Sequence, residues 1–221
     1  MMRLVQRLSV FVAVLAALSV AAMCIYSCRL RRRADDLVRS AYEFSQKRQP
    51  PTVEEVRQRF GNALEQPSPC TANGCGYQVL LSNRVLAALR LTPYAVLRSS
   101  FWAKDGVIES NDLEFWSGLG QDRWVLFHVQ VKYCQRCDSF LVVPWNDTRP
   151  PVTGSVEIGS ASTTGMKHIA LAVNTGCLTR LGGCATIADV SPRIWQRTSS
   201  GIIRCRIPNH EGDVDNPVNL P

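Results

Sequence analysis

Trp124-Val125-Leu126-Phe127-His128-Val129-Gln130-Val131-Lys132-Tyr133 is the stretch on which the reading of the fold turns. Successive side chains of an extended strand point to opposite faces, so Val125, Phe127, Val129, Val131 and Tyr133 share one face while His128, Gln130 and Lys132 share the other. An apolar face backed by a polar one is the mark of a sheet covered on one side only, which is characteristic of antiparallel sheets.

Neighbouring segments carry compatible signals. Residues 101–116 contain Lys104-Asp105-Gly106-Val107, and Asp-Gly supplies the positive φ angles of a type I′ hairpin turn. Tyr77, Val79 and Leu81 alternate in the same manner, residues 118–122 offer a turn, and residues 86–91 fit either a short helix or a strand. Residues 153–165, rich in Gly, Ser and Thr and broken by Val156 and Ile158, are expected to join short strands. Ile169, Leu171 and Val173 read as a further strand, and residues 202–206 as an edge strand. The apolar side of this meander needs a cover, and two helical patterns lie upstream. Residues 34–49 place Leu37, Val38, Ala41 and Phe44 on one face until Pro50 and Pro51 end the pattern. Thr52 with Glu55 three residues on forms a capping-box signature; Val53, Val56 and Phe60 share a face, and Gly61 is placed to terminate the helix.

Residues 8–28 are free of charge over 21 positions, with Arg3 and Arg7 before them and Arg29, Arg31, Arg32 and Arg33 after. At about 1.5 Å per residue such a run crosses the hydrocarbon core of a bilayer. An uncleaved anchor is therefore expected. A cleaved secretory signal and a lipid on Cys24 or Cys28 are the competing readings, although Met23 and Tyr26 fit poorly just before a lipidated cysteine. The expected architecture is α+β: one N-terminal transmembrane helix, then two short helices packed on an antiparallel β-meander with additional C-terminal strands. The segments are an anchor over 1–33, helices over 34–64, a meander over 65–145, a β/loop extension over 146–207 and a tail over 208–221.

The formal net charge is +7, yet six of the 25 basic residues fall within positions 1–33, leaving 19 against 18 acidic residues. The basicity belongs to the anchor and its lipid headgroups, so a nucleic-acid partner is not expected. Orientation receives two opposed signals. The denser Arg cluster after the run favours a cytoplasmic C-terminal domain. Against it, six of the seven cysteines beyond the anchor form close pairs, Cys70 with Cys75, Cys134 with Cys137 and Cys177 with Cys184, as suits disulfides in an oxidising compartment. The cysteines decide for an exoplasmic domain, periplasmic if the source is bacterial, and leave Cys205 without a mate.

The order of membrane-proximal segment, short helix Thr52-Val53-Glu54-Glu55-Val56-Arg57-Gln58-Arg59-Phe60-Gly61 and antiparallel meander resembles the small BamE or OmlA type of bacterial envelope lipoprotein over residues 34–133. The resemblance implies two helices on a three-stranded sheet and a role in supporting outer-membrane assembly. Three cysteine pairs and a long C-terminal region depart from that pattern, and the whole chain also looks like bacterial single-pass membrane proteins.

Few residues carry recognisable chemistry. Cys134-Gln135-Arg136-Cys137 could exchange disulfides, with Arg136 favouring a thiolate, but it follows a strand instead of opening a helix. Cys70 and Cys75 with Cys134 and Cys137 could instead supply four thiolates to zinc, with His128 as a remote candidate ligand and a solvated surface residue by the plainer reading. Ser160 and Ser162 lack a G-x-S-x-G elbow, Gly118-Leu119-Gly120 lacks the third glycine of a dinucleotide fingerprint, and His168 and His210 have no sequence-local nucleophile. Asp112 and Glu114 share a strand face, read as solvated surface. Asn146-Asp147-Thr148 is a glycosylation sequon only in a eukaryotic secretory route. Of five tryptophans, Trp116 and Trp124 flank one turn, could pair across strands, and form the candidate binding surface. No catalytic residue, cofactor or metal is assigned. The expected function is a membrane-tethered, non-enzymatic envelope module that binds another envelope protein or supports an assembly; the alternative is a thiol-disulfide redox or zinc-binding module at Cys134 and Cys137.

Overall fold

The computed structural model describes residues 2–67, 69–118, 124–133, 140–146, 152–159 and 162–194, with backbone alone for 2–5, 140–146 and 152. Cys134, Cys137, Trp195, Cys205, His210 and the expected tail lie outside these residues, as does most of the 118–122 turn.

Helix α1 runs without interruption through Met2–Ser45, 44 residues. The first Gly or Pro of the chain is Pro50, so nothing in the sequence breaks the backbone ladder where the apolar run meets the Arg cluster. The apolar stretch of this helix is long enough to cross a membrane and is uncovered by the rest of the chain. Burial begins at Leu30 and continues through Ala34, Leu37, Ala41 and Phe44, a single stripe at helical spacing. The amphipathic helix expected over 34–49 continues directly from the apolar run as the second part of α1, and it stops at Ser45, short of position 49.

Helix α2, Val53–Phe60, forms as its sequence dictates. The Glu55 amide donates to Thr52 Oγ1 at 3.2 Å, the Thr52 amide donates to Glu55 Oε2 at 2.9 Å, and Gly61 ends the helix at φ 51°. A 3₁₀ turn at Gly61–Ala63 follows.

Among the described residues six strands form one sheet: β1 Cys75–Ser82, β2 Ala95–Lys104, β3 Val107–Gly118, β4 Trp124–Lys132, β5 Phe140–Asn146 and β6 Val152–Gly159; the edge strand expected over 202–206 lies outside them. The spatial order is β1-β2-β3-β4-β6-β5. The first four are an antiparallel meander, and Asp105 and Gly106 turn the β2–β3 hairpin at φ 51° and 79°. The remainder differs from the sequence expectation. β6 lies against β4 in parallel register and β5 pairs antiparallel on its outer edge, so the sheet is mixed. The chain leaving β4 passes over one strand position and fills it on the way back.

One face of the sheet is covered. Phe44 of α1, Phe60 of α2 and Phe101 of β2 meet with ring centroids 5.6–6.2 Å apart, joining both helices to the sheet. α3 Arg84–Ala88 lies in the connection between β1 and β2, and the rest of the cover comes from the C-terminal third, where α4 Thr164–Ala170, a 3₁₀ turn at Thr175–Leu178 and α5 Ile187–Val190 follow β6. The segment containing Ile169, Leu171 and Val173 is therefore not a strand. Thr163 caps α4 by accepting from the Met166 amide, and Lys167, Ala170 and Leu171 share its buried side at i, i+3, i+4 spacing. Residues 86–91 resolve as the end of α3 and its exit turn.

Asn83 ties these parts together. Fully buried, its Nδ2 donates to Thr92 Oγ1 at 2.9 Å, the Pro93 carbonyl at 2.8 Å and the Leu178 carbonyl at 3.0 Å, while its Oδ1 accepts from the Ala95 amide at 2.7 Å. Beside it, Gly183 at φ 72° leaves room for Pro93, whose Cγ would lie 2.8 Å from any Cβ added there.

Candidate functional site

The core side chains of α1, α2, α4 and α5 gather on the odd-numbered face of β4, and its even-numbered side chains, each half-buried, lie on the other face, which is open among the described residues. His128 stands opposite Glu114 on β3 and Ser155 on β6. Its Nε2 lies 3.0 Å from Asp112 Oδ1 and its Nδ1 lies 3.3 Å from Ser155 Oγ, giving a hydrogen-bonded row across three strands. Arg98 and Glu114 form an ion pair on one side of the row, and Lys132 Nζ reaches Glu157 Oε1 at 2.7 Å on the other. Arg98, Glu114, Leu126, His128, Thr153, Gly154 and Ser155 line a shallow depression of about 360 Å³ on this face.

The serine, histidine and carboxylate make a proton relay in outline. With Nε2–H donated to Asp112, neutral His128 presents Nδ1 as an acceptor for the Ser155 hydroxyl. Acyl transfer also needs donors aimed at a developing oxyanion. Ser155 sits on β6, which is paired on both edges, opposite His128 of β4 and Val143 of β5. The backbone amides around it are committed to sheet ladders, so the geometry suits polar recognition better than acyl transfer. His128 is thus a cross-strand bonding partner and not a simply solvated side chain, and Asp112 and Glu114 each have a basic partner.

Trp116 and Trp124 lie on this face at one end of the sheet. They are diagonal neighbours: Trp116 is opposite Leu126, and Trp124 is opposite Gly118. Trp116 stacks edge-on with Tyr94 at 5.7 Å between ring centroids, and its ring lies over Gly118, where an added Cβ would come within 3.2 Å. Both tryptophans are half-buried.

Cys70 and Cys75 lie at disulfide distance, S–S 2.07 Å, as do Cys177 and Cys184 at 2.09 Å. A bond between Cys70 and Cys75 would leave neither thiolate for the four-cysteine zinc site, whose other two ligands lie outside the described residues. Among the described residues no group of three or more His, Cys, Asp or Glu could hold a metal ion. Cys134 and Cys137 lie outside the described residues. Cys24 and Cys28 are free thiols on the uncovered part of α1. His168 belongs to α4 and packs edge-on against Tyr42 of α1 at 5.7 Å, beside a second hollow of about 310 Å³ between α1 and the C-terminal cap. Ser162 is buried in a turn, its Oγ accepting from the Gly159 amide at 3.2 Å.

Asn83 and Ser155 are the residues that sequence reasoning passed over. For Ser155 the signal was the alternation Thr153, Ser155, Glu157 against Val156 and Ile158, thinned by Gly154. No family model matches the chain, and no curated protein or solved structure matches it.

Proposed function

We propose that the protein is a membrane-tethered envelope module that captures a protein partner on the open face of its sheet. The observation that carries this reading is the one-sided cover: helices pack on one face, while the other presents half-buried Trp116, Trp124 and the Arg98–Glu114 and Asp112–His128–Ser155 groups with no helix over them among the described residues. Half-buried aromatics beside bonded polar groups are what a recognition surface requires, since the aromatics supply contact area and the polar groups fix register. The two disulfide pairs support an exoplasmic domain, where an oxidising environment preserves them. An assembly-support role of the BamE or OmlA kind is consistent with a short helix and meander behind a tether.

A photo-crosslinking residue at Leu126 of the full-length protein, in its native membranes, is expected to give a discrete adduct of higher mass. The same residue at Glu54, on the exposed side of α2, is expected to give none. Loss of the Leu126 adduct in a Trp116→Ala background supports capture by this face; equal adducts from both sites overturn it. The thiol-exchange alternative predicts that Cys134→Ser with Cys137→Ser abolishes activity in a folded protein, whereas the capture reading predicts an unchanged Leu126 adduct.

A further inference from the structure

The two ends of the sheet are not equivalent. The Tyr26 hydroxyl lies 3.5 Å from the Ser82 carbonyl at the end of β1. Strand pairing carries that level across the sheet, with Ser82 opposite Val96, Ala95 opposite Ser117, and Gly118 opposite Trp124. This end therefore faces the point where α1 leaves its charge-free run. Tyr26 lies three residues before Arg29, about 4.5 Å along the helix axis. Side chains on a helix lean toward its N-terminus, so the Tyr26 hydroxyl is no farther from the bilayer centre than its own Cα. Whatever touches it stands at headgroup level.

Two segments cap that end of the sheet. One is the connection through α3, from Asn83 to Tyr94; the other is the Cys177–Cys184 loop, clasped to it by the Asn83–Leu178 hydrogen bond and the Gly183–Pro93 contact. Between them they expose Val85 (44%), Leu89 (56%), Leu91 (42%) and Leu181 (75%). Arg84 and Arg90 are interleaved with these side chains, Arg180 beside Leu181 is paired with Asp189 at 3.0 Å, and neither segment itself contains an Asp or Glu. Exposed leucines beside arginines suit the interface of an anionic bilayer, where apolar side chains enter the acyl boundary and the guanidinium groups of Arg84 and Arg90 meet phosphate.

We propose that this end of the domain seats in the headgroup region of the leaflet from which α1 emerges, so that the protein holds the membrane by Leu89, Leu91 and Leu181 as well as by its helix. The proposal rests on the reading of α1 as a membrane span. Continuity with that span selects the bilayer as occupant over a second protein.

The test uses the full-length protein in vesicles of phosphatidylcholine and phosphatidylglycerol carrying a photoactivatable phospholipid, with adducts located by peptide mass spectrometry. Adducts are expected in residues 8–28 and also in residues 83–92 and 178–183. Adducts confined to 8–28 overturn the seating while leaving the span intact. Adducts in the two loops without any in 8–28 overturn the span and leave the seating, and adducts in none of these segments overturn both. The variant Leu89→Asp, Leu91→Asp, Leu181→Asp alters only exposed side chains, so its melting temperature should match the parent. Its loop adducts should fall about tenfold or more, the change expected on losing about one leucine's apolar burial, with labelling of 8–28 unchanged. Undiminished loop labelling in that variant also overturns the proposal.

Discussion

Phe127 and His128 are neighbours on one strand and live in different chemistries. Phe127 is sealed under the helices with no exposure, and the small Gly154 stands opposite it on β6. His128, one residue on, shares hydrogen bonds with Asp112 and Ser155 in contact with solvent. The same backbone ladders support both faces, so what separates them is the cover. On the closed face stability depends on shape and on the hydrogen bonds of buried polar groups such as Asn83, whereas the open face can change its side chains at small cost to folding. Selection for recognition is free to act on the open face.

The contrast is broken most directly at Phe127. Phe127→Asp places an unpaired carboxylate among the core side chains, costing several kcal/mol, about the whole stability of a small domain. Gln130→Asp on the open face should change stability by about 0.5 kcal/mol or less. Denaturant unfolding in detergent measures both, and equal midpoints would show the two faces to be alike.

Asn83 tests the second half of the contrast, since it is polar and yet belongs to the closed side. Asn83→Leu removes the partners of the Ala95 amide and the Pro93 and Leu178 carbonyls at once, and should cost about 3 kcal/mol. A loss no larger than that of Gln130→Asp would mean that water replaces it.

Cys177→Ala with Cys184→Ala should cost about 2 kcal/mol, because the bond closes a short loop. Proteolysis should then appear first in residues 177–184. Cleavage elsewhere at the same rate would show that the loop does not hold the cap.

The smallest effect expected is an acid one. Burial alone would raise the Asp189 carboxyl, but the Ala185 amide, the Thr186 hydroxyl and the Arg180 guanidinium outweigh it and hold the group below the usual carboxylate range. A depressed carboxyl contributes stability above its unfolded value and loses it as pH falls through the folded one. Melting temperature should therefore decline on acidification below the ordinary carboxylate range, and more shallowly in Asp189→Asn. Identical slopes would remove Asp189 from the account.

The parts legible in the sequence are those whose causes are local. The alternation in β4, the Asp105-Gly106 turn and the Thr52–Glu55 capping box each lie within about ten residues, and each formed as read. The long apolar helix was equally plain. What escaped depends on contacts between distant segments. The parallel pairing of β4 with β6 places His128 beside Ser155, 27 residues away, and no spacing rule connects them. Gly154 makes β6 look like a loop, although it stands in register opposite Phe127 of β4. Ile169, Leu171 and Val173 keep a period of two over too few positions to exclude a helix; the Thr163 cap starts α4, which takes in Ile169, ends at Ala170 with Leu171 as its C-cap, and leaves Val173 in irregular backbone. Of the candidate site, the tryptophans were visible as residues, but their diagonal placement required the register.

The unbroken passage of α1 from its apolar run into the core has a mechanical consequence. A flexible tether lets a domain wander over a wide area of membrane, whereas a helix built into the core acts as an axle. From Arg29 to Ser45 that axle rises about 24 Å, with the domain fixed along it. If α1 spans the membrane as proposed, the sheet can turn or tilt only as the span does, and its open face sweeps a narrow band at constant height. Under the proposed capture role a partner would have to present its complementary surface within that band, and a torque applied to the domain would be felt by the span itself.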